Sequence, residues 1–394
     1  MKKSVLIFTI ILLNISQLYA KNYRVSLLTC APGSELYSVF GHSAVRVTDM
    51  ETGRDLVYNY GTFDFDPSFY MKFARGKLDY WLSVATYDRF MEHYAYLGQA
   101  VREQELNLNE EQANKMVEFL HINNQPDNRY YRYDFFYDNC ATRIRDMMKT
   151  VLGEQLEWND PVSEEQKTFR DLIDEYVYPL PWGDLGIDLA LGSVIDIDAS
   201  EREKQFLPDY MEAAFGRAEI VGDGPTRPLV KHQSTLLDVP PVAIAPNIFN
   251  PYFLFWGIAI MFIVITYMGY RKKRLFIGFD QAFFGVLAVL GIVVVLLWFF
   301  TEHTATKYNW NMLWAFPLHG LLVYGLGMSS PAPWVKKYLL FALIMADAAV
   351  VFWILSWQSF HPSVLPLILV VILRSNFLYY NLDKFKAHKR MVNS

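Results

Sequence analysis

The sequence predicts an α+β extracytoplasmic domain followed by an all-α membrane domain of five transmembrane helices. Three observations predict this arrangement: the chain starts like a secretory signal, its middle mixes alternating strands with amphipathic helices, and its last third consists of long apolar runs. Hydrophobic residues make up 53% of the 394 residues, which is high for a wholly soluble protein and fits a mixed soluble and membrane chain.

The N-terminal sequence indicates the cellular compartment of the domain that follows it. Lys2 and Lys3 form a basic start, the run from Ser4 to Ile15 is apolar, and Ala20 is a small residue suited to signal cleavage. Residues 1–20 are therefore predicted to be a signal peptide, although the apolar run could also serve as an uncleaved anchor. Either way, the domain that follows lies outside the cytoplasm.

Residues 21–218 are predicted to form the extracytoplasmic domain. Its strands follow from alternating and β-branched runs, and its helices from apolar residues at helical spacing. The strands are expected at 25–28, 43–48, 56–60, 82–85 and 101–108, and the helices at 87–97, 109–123, 141–151 and 185–191. Asn109 is a suitable N-cap for the second helix, because its side chain can accept from the free N–H groups of the first turn.

Residues 219–250 are rich in proline, valine and small residues and are predicted to be a linker or an extended segment close to the membrane. Residues 251–394 then carry the membrane domain, since a spanning helix needs about 20 apolar residues. The five candidate spans are Tyr252–Tyr270, Ala282–Phe300, Leu313–Met328, Leu339–Trp357 and Val364–Tyr380, of which the third is short and contains His319. If the first spanning helix starts outside the cytoplasm, every cluster of lysine and arginine lies on the cytoplasmic side, and so does the C-terminus.

Composition excludes several classes of function. A formal net charge of −5 argues against a nucleic-acid-binding protein. The two cysteines, Cys30 and Cys140, form no C-x-x-C pair, so no zinc ribbon or thioredoxin-type site is expected. Asp196 and Asp198 have a spacing that could suit a metal, but without a third ligand they are interpreted as an exposed loop. No metal and no cofactor are predicted.

Cys140 is the candidate nucleophile. It follows Asn139 at the start of a predicted helix, where the positive end of the helix dipole favours a thiolate. A cysteine nucleophile also needs a base and a group that orients the base. His42 begins a strand between small residues and is the candidate base, and Asn59 on the next strand is the candidate orienting residue. The simpler alternatives are a strand-end histidine and a Cys30–Cys140 disulfide.

This order of residues resembles that of permuted papain-like thiol enzymes, which include the lecithin:retinol acyltransferase and NlpC groups. The former usually carry a second histidine at the position of Asn59. A closer resemblance covers nearly the whole chain. The stretches around Cys30, His42, Asn59 and Cys140, together with His303 and Asn309-Trp310-Asn311 in an outer loop, are similar to the lipoprotein N-acyltransferase family of Bacteroidota called Lnb. A permuted papain-like fold is therefore expected for the periplasmic domain.

The resemblance implies transfer of an acyl chain from a phospholipid of the cytoplasmic (inner) membrane, through a thioester on Cys140, to the α-amine of a diacylglyceryl-cysteine lipoprotein. Cys140, His42 and Asn59 would be the catalytic residues. His303, Asn309, Asn311 and Arg143 are the candidates for substrate binding, and a solvated outer loop is the alternative for the first three. The bilayer, the phospholipid donor and the lipoprotein acceptor are the expected partners, with no nucleic acid.

Two other functions remain open from the sequence alone. A thiol hydrolase, either a peptidoglycan amidase or a phospholipase, would use Cys140 and His42 in the same way, with water as the final acceptor. A non-catalytic envelope scaffold would instead use the two cysteines as a structural disulfide.

Overall fold

The computed structural model describes residues 22–63, 75–77, 79–161, 166–222, 224–240 and 249–387, together with the single residues 67 and 72. The predicted signal peptide lies outside the described residues. The chain folds into two compact units, and their boundaries differ from the predicted ones. Residues 167–198 belong to the second unit with 249–387, whereas the chain after Ala199, up to residue 240, returns to the first unit.

The first unit is built on an antiparallel sheet of seven strands in the order β10-β5-β1-β2-β3-β4-β6. These strands are β1 Tyr23–Cys30, β2 His42–Asp49, β3 Asp55–Thr62, β4 Asp79–Thr86, β5 Val101–Leu106, β6 Tyr130–Arg132 and β10 Val230–Leu237. The short strands β7 Leu156–Glu157, β8 Glu219–Ile220 and β9 Arg227–Pro228 form a separate three-stranded sheet.

Helices cover both faces of the large sheet. They are α1 Tyr87–Leu97, α2 Glu110–Asn123, α3 Cys140–Leu152, α6 Glu201–Lys204 and α7 Pro208–Arg217. The main core includes residues of α2, α3 and α7 and lies on one face, and α1 packs a smaller core against the other. Asn109 caps α2 as predicted, because its Oδ1 accepts from the N–H of Gln112 at 2.8 Å.

The predicted linker at residues 219–250 contains a strand of the large sheet. The segment Val230–Leu237 is not a linker but an edge strand of the large sheet, paired with β5. Its hydrophobic pattern is weak because the strand is mostly exposed or half-buried, which is common for a sheet edge. Residues 241–248 lie outside the described residues.

The second unit holds the long apolar helices. Its helices are α4 Phe169–Val177, α5 Pro181–Ala190, α8 Pro251–Lys272, α9 Ile277–Phe299, α10 His319–Gly327, α11 Pro333–Ile354 and α12 Leu365–Asn381, and a two-residue pairing joins β11 Arg274–Leu275 to β12 Lys386–Ala387. Among the described residues, four helices are long and apolar enough to cross a membrane: α8, α9, α11 and the helix that includes α12.

The predicted third span is not one continuous helix. A 3-10 turn at Trp310–Leu313 is followed by turns and then by α10, whose nine residues reach about 14 Å, roughly half of the hydrocarbon core. The segment nevertheless runs the length of α9, since Thr306 Oγ1 donates to Leu297 O and Gln281 Nε2 donates to Val323 O. The chain thus crosses the bundle as a broken segment.

Two contacts make this break possible. A side chain at Gly291 of α9 would place its Cβ 2.3 Å from Ala315 O, so only glycine lets the non-helical backbone approach. His319, 1% exposed, lies with Nε2 3.1 Å from Trp314 O and Nδ1 3.0 Å from Tyr338 Oη. A carbonyl that leaves the helical pattern inside a membrane must find another partner, and this histidine supplies one.

Candidate active site

Cys140 is the first residue of α3, and Asn139 fixes it there. Asn139 Oδ1 accepts from the N–H groups of Ala141 and Thr142, both at 2.9 Å, and its Nδ2 donates to Phe135 O and Phe206 O, both at 2.8 Å. Asn139 is 3% exposed, and every hydrogen-bonding atom of its amide is used. The asparagine before the cysteine therefore positions the helix start and the chain that enters it.

His42 is the first residue of β2 and follows Gly41, where the backbone passes close to the carbonyl of Cys30. Gly41 has φ +74°, and a Cβ there would lie 2.7 Å from Cys30 O. Only glycine combines this conformation with this contact. The strand pairing then sets His42 opposite Cys30 and brings β3, with Asn59, alongside β2.

The structure brings the three candidate catalytic residues together. His42 is hydrogen-bonded to both Cys140 and Asn59. Asn59 also donates through Nδ2 to Val57 O at 3.4 Å, a long bond that leaves Oδ1 for the imidazole. Cys140 is buried, with 9% of the residue exposed.

Cys140 and His42 stabilise each other's charged forms. Burial disfavours the Cys140 thiolate, but the charge and hydrogen bond of His42 and the backbone N–H groups of Ser43 and Ala141 outweigh it and lower the pKa of the thiol. Burial likewise disfavours a charged His42, yet the attraction of Cys140 and the hydrogen bonds with Cys140 and Asn59 raise its pKa. Together these shifts favour a thiolate–imidazolium pair, the reactive form of a thiol enzyme.

Cys30 is not bonded to Cys140. Both are free thiols, so the disulfide alternative does not hold in this structure. Burial raises the pKa of the Cys30 thiol, which is 0% exposed and hydrogen-bonded to Tyr94. Cys30 is accordingly a core residue with a raised thiol pKa, whereas the pKa of the Cys140 thiol is lowered.

Tyr131 is a residue that the sequence did not single out. A Cβ at Gly61 would lie 3.7 Å from Cys140 Cβ and 3.9 Å from Tyr131 Oη, so the phenol and the thiol flank the same glycine. The Tyr131 hydroxyl is buried beside the backbone N–H of Gly61 and donates no hydrogen bond, and burial raises its pKa, which keeps it protonated. An aromatic run at 130–133 leading to Cys140 was visible in the sequence, but nothing there distinguishes this tyrosine from its neighbours.

Arg143, predicted to bind substrate, is occupied by protein groups. Its Nε and Nη2 donate to the two oxygens of Asp138 at 2.6 and 2.8 Å, and its guanidinium lies 3.7 Å from the centre of the Tyr131 ring. This paired arrangement orients the tyrosine. A direct role in substrate binding stays a prediction.

Asn309 and Asn311, which were predicted to bind substrate, are buried and hydrogen-bonded to other parts of the protein. They are 0% and 1% exposed. Asn309 Nδ2 donates to Leu189 O at 2.9 Å, and Asn311 Nδ2 donates to Asp188 O at 3.2 Å. They hold the end of α5, and a role in substrate binding stays a prediction. His303 is half-buried, and its substrate role stays a prediction.

Asp196, interpreted from the sequence as part of an exposed loop, is instead a buried partner of Arg170. Its side chain is 5% exposed, and its Oδ1 accepts from Arg170 Nε at 2.7 Å. Asp198 is exposed, in agreement with the interpretation.

Two protein-family models match the chain. The model of the Lnb N-terminal periplasmic domain matches residues 15–175, and the model of the Lnb transmembrane domain matches residues 243–385. No curated protein and no solved structure matches the chain. The two matched regions belong to one family and together span most of the sequence. The chain therefore belongs to the Lnb family and is a multi-pass membrane protein with a periplasmic N-terminal domain.

Proposed function

We propose that the protein is a lipoprotein N-acyltransferase of the inner membrane with Cys140 as its nucleophile. The observation that carries the proposal is the hydrogen-bonded Cys140–His42 pair, with shifted pKa values that favour the ionised thiol, in a chain of the Lnb family. The transmembrane domain supports a substrate embedded in lipid, because a soluble acceptor would not require one.

The first half-reaction would load the enzyme. The Cys140 thiolate attacks an ester carbonyl of a phospholipid, the ester C–O bond breaks, and the leaving oxygen takes the proton held by His42. The products are a lysophospholipid and an acyl thioester on Cys140. The negative oxygen of the tetrahedral intermediate needs donors, and the backbone N–H of Cys140 and the Tyr131 hydroxyl are the candidates.

The second half-reaction would release the acyl chain. The α-amine of a diacylglyceryl-cysteine lipoprotein attacks the thioester, His42 accepts the amine proton, and the C–S bond breaks to restore the thiolate. An α-amine has a reference pKa of about 8, so a useful fraction is neutral at pH 7. Water as the acceptor would give a hydrolase instead, and the experiment below separates the two.

Exposed apolar side chains on the two segments that lead to His42 and to Cys140 also favour a lipid donor. Leu36 and Tyr37 are 45% and 73% exposed on the turn that leads to His42, and Tyr137 is 54% exposed just before Cys140. The rings of Phe40 and Phe135, 4.7 Å apart, join these two segments. An apolar surface on the segments that lead to the nucleophile suits an acyl chain.

The test is mass spectrometry of lipoprotein N-termini from a deletion strain that expresses variants of the full chain. Wild type should restore the N-linked acyl chain, whereas Cys140→Ala and His42→Ala should leave only diacylated lipoprotein at equal membrane abundance. Cys30→Ala and His93→Asn are matched controls, since the thiol pKa of Cys30 is raised and His93 is exposed on α1. N-acylation retained in Cys140→Ala, or unchanged lipoproteins in the deletion strain, would overturn the proposal.

A further inference from the structure

Arg129, the residue before β6, carries a positive charge without an acidic partner in the first unit. Its guanidinium carbon lies 5.1 Å from the centre of the Trp81 ring and 5.1 Å from the centre of the Tyr130 ring. Among the described residues it pairs with no carboxylate, and its one side-chain hydrogen bond runs from Nη2 to Tyr130 Oη at 3.2 Å. Arg129 is half-buried, so the two rings hold a guanidinium whose charge is unbalanced.

Four other arginines of the same unit show the usual arrangement of a half-buried or buried guanidinium. Arg46, Arg102, Arg143 and Arg145 each have a nitrogen 2.6–2.8 Å from a carboxylate oxygen. A carboxylate of the protein thus neutralises each of them, and Arg129 differs in having none. A half-buried cation of this kind is suited to an anion that comes from outside the chain.

The groups beside Arg129 also lack hydrogen-bond acceptors. Arg129 Nε and Trp81 Nε1 are buried N–H donors, and neither has a partner. Such donors are uncommon in folded proteins, and a ligand that supplies acceptors is one explanation for them. The charged end of a phosphodiester consists of acceptor oxygens, so it matches both the charge and the excess of donors.

This group of residues is adjacent to the candidate catalytic residues. Asn59 pairs with the residue two positions after Trp81 on β4, so the side chains of Asn59 and Trp81 share one face of the sheet. Trp81 itself pairs with Thr62, which follows Gly61, and a Cβ at Gly61 would lie 3.7 Å from Cys140 Cβ. Neighbouring strands lie about 4.8 Å apart, so Trp81 is one strand spacing from the segment beside the thiol.

The order of the strands places an apolar segment on one side of the thiol and this cation on the other. The segment between β1 and β2 carries the exposed side chains of Leu36 and Tyr37, whereas Arg129 lies beside β4 and β6. His42 and Asn59 lie between them, because the sheet runs in the order β1-β2-β3-β4-β6. In a phospholipid the ester likewise lies between the acyl chain and the phosphate. An ester placed at the thiol with its acyl chain over the apolar segment has its phosphate on the side of Arg129.

We propose that Arg129, held between Trp81 and Tyr130, binds the phosphodiester of the phospholipid that donates the acyl chain. A guanidinium presents parallel N–H donors that match two phosphate oxygens. The site would select phospholipids over diacylglycerol, which carries the same esters but no phosphate. This inference rests on the proposed function, and its first test requires no turnover.

The first test asks whether a phospholipid protects Arg129 from phenylglyoxal, a reagent that modifies accessible arginines. Full-length Cys140→Ala protein in maltoside detergent is treated in the presence of short-chain phosphatidylglycerol or of diacylglycerol with the same chains. Peptide mass spectrometry measures the modification. Phosphatidylglycerol should slow the modification of Arg129 as its concentration rises, until modification is lost at saturation, and diacylglycerol should have no effect.

Arg132 is the internal control, because it is exposed on the same strand and lies 3.4 Å from Asp79. Its modification should be equal under all conditions. Equal modification of Arg129 with and without phosphatidylglycerol overturns the proposal, and so does an Arg129 that resists the reagent without lipid. Inorganic phosphate at the same concentration should protect less, and equal protection would make this a site for the free anion and not for the donor.

The second test measures formation of the acyl thioester on native Cys140 by intact-protein mass spectrometry, without an acceptor. Arg129→Gln should raise the phospholipid concentration at half-maximal rate at least about tenfold, since a hydrogen bond to a charged group contributes roughly that factor or more. The maximal rate and the alkylation of Cys140 by iodoacetamide should stay at their wild-type values. Arg132→Gln, which removes the same charge from the same strand, should behave as wild type.

The outcomes separate this inference from the proposed function. A wild-type half-saturating concentration in Arg129→Gln, or a lower maximal rate with unchanged half-saturation, overturns the binding role and leaves the acyl transfer standing. A wild-type protein that forms no thioester refutes the acyl transfer, and the protection of Arg129 then decides the phosphate site by itself.

Discussion

Tyr131 has a combination of properties that a donor to a reaction intermediate requires. Its hydroxyl is buried, is protonated and donates no hydrogen bond, and it flanks Gly61 together with Cys140. A buried polar group without a partner costs free energy, and such groups are tolerated where function uses them. The ring itself is anchored by Arg143, so removal of the oxygen alone need not disturb the fold.

Tyr131→Phe should therefore lower the rate of acyl transfer by about 10²–10³, the usual effect of removing one oxyanion donor. Its Tm should be unchanged or slightly higher, because the orphaned hydroxyl is gone. The rate is measured by mass spectrometry of the acylated lipoprotein, and Tm by thermal unfolding. Tyr96→Phe, at an exposed tyrosine of α1, is the control. A full rate in Tyr131→Phe would exclude the donor role.

The Cys140–His42 pair makes a prediction about pH. Because the pKa of Cys140 is lowered, its alkylation by iodoacetamide should rise with pH at values below the reference of about 8.5 for a free thiol. In His42→Ala the inflection should move upward, since burial then acts without the compensating charge. Asn59→Ala should move it less, because Asn59 acts on the pair only through His42.

Peptide mass spectrometry over a pH series measures this inflection, and native Cys30 serves as the internal unreactive thiol. An inflection that is identical in wild type and His42→Ala would show that the histidine does not activate the cysteine.

Asn139, the N-cap residue of helix α3, contributes to the stability of the periplasmic unit. Asn139 satisfies two N–H groups of the helix start and two carbonyls from separate segments, so its loss would leave buried polar groups unpaired. An N-cap typically contributes about 1 kcal/mol, and each unpaired buried group costs about 1–3 kcal/mol. The same contacts set where Cys140 meets His42.

Asn139→Ala should consequently destabilise the periplasmic unit by about 2–4 kcal/mol and slow alkylation of Cys140 at pH 7. Asn109→Ala, at the cap of α2, is the matched control, because it should cost stability without changing the reactivity of Cys140. Denaturant unfolding and thiol labelling measure the two effects. Equal labelling rates in both variants would show that the cap only stabilises the helix.

Local patterns predicted those elements whose causes are local. The strands around His42 and Asn59, the capped helix α2 and the helix of Cys140 were predicted within a few residues, because alternation, helical spacing and caps act over one or two turns. The third membrane segment was predicted as continuous, because its break depends on Gly291 of another helix and on the contacts of His319. A hydropathy pattern does not contain those contacts.

Across the whole molecule, the contacts that the sequence did not predict are those between residues far apart in the chain. Asn309 and Asn311 resembled polar residues of a solvated loop, but they bind backbone carbonyls of α5 far back in the chain. Asp196 was misjudged in the same way, because Arg170 lies 26 residues before it. The boundary between the two units also differs from the predicted one, because residues 167–198 belong to the second unit. Nothing in the composition of this segment separates it from the periplasmic unit. Tyr131 was missed because its significance lies in an absent hydrogen bond.

The placement of residues 167–198 in the membrane unit also has a consequence for biosynthesis. Leu189 is made 120 residues before Asn309, which holds its carbonyl in the folded protein. At roughly 5–20 residues per second, translation of that interval takes about 6–24 s. During this time the segment emerges without its partners, and its ionised side chains remain in water. The membrane helices must be inserted before the segment can be buried, so this protein cannot complete folding in the order in which it is synthesised.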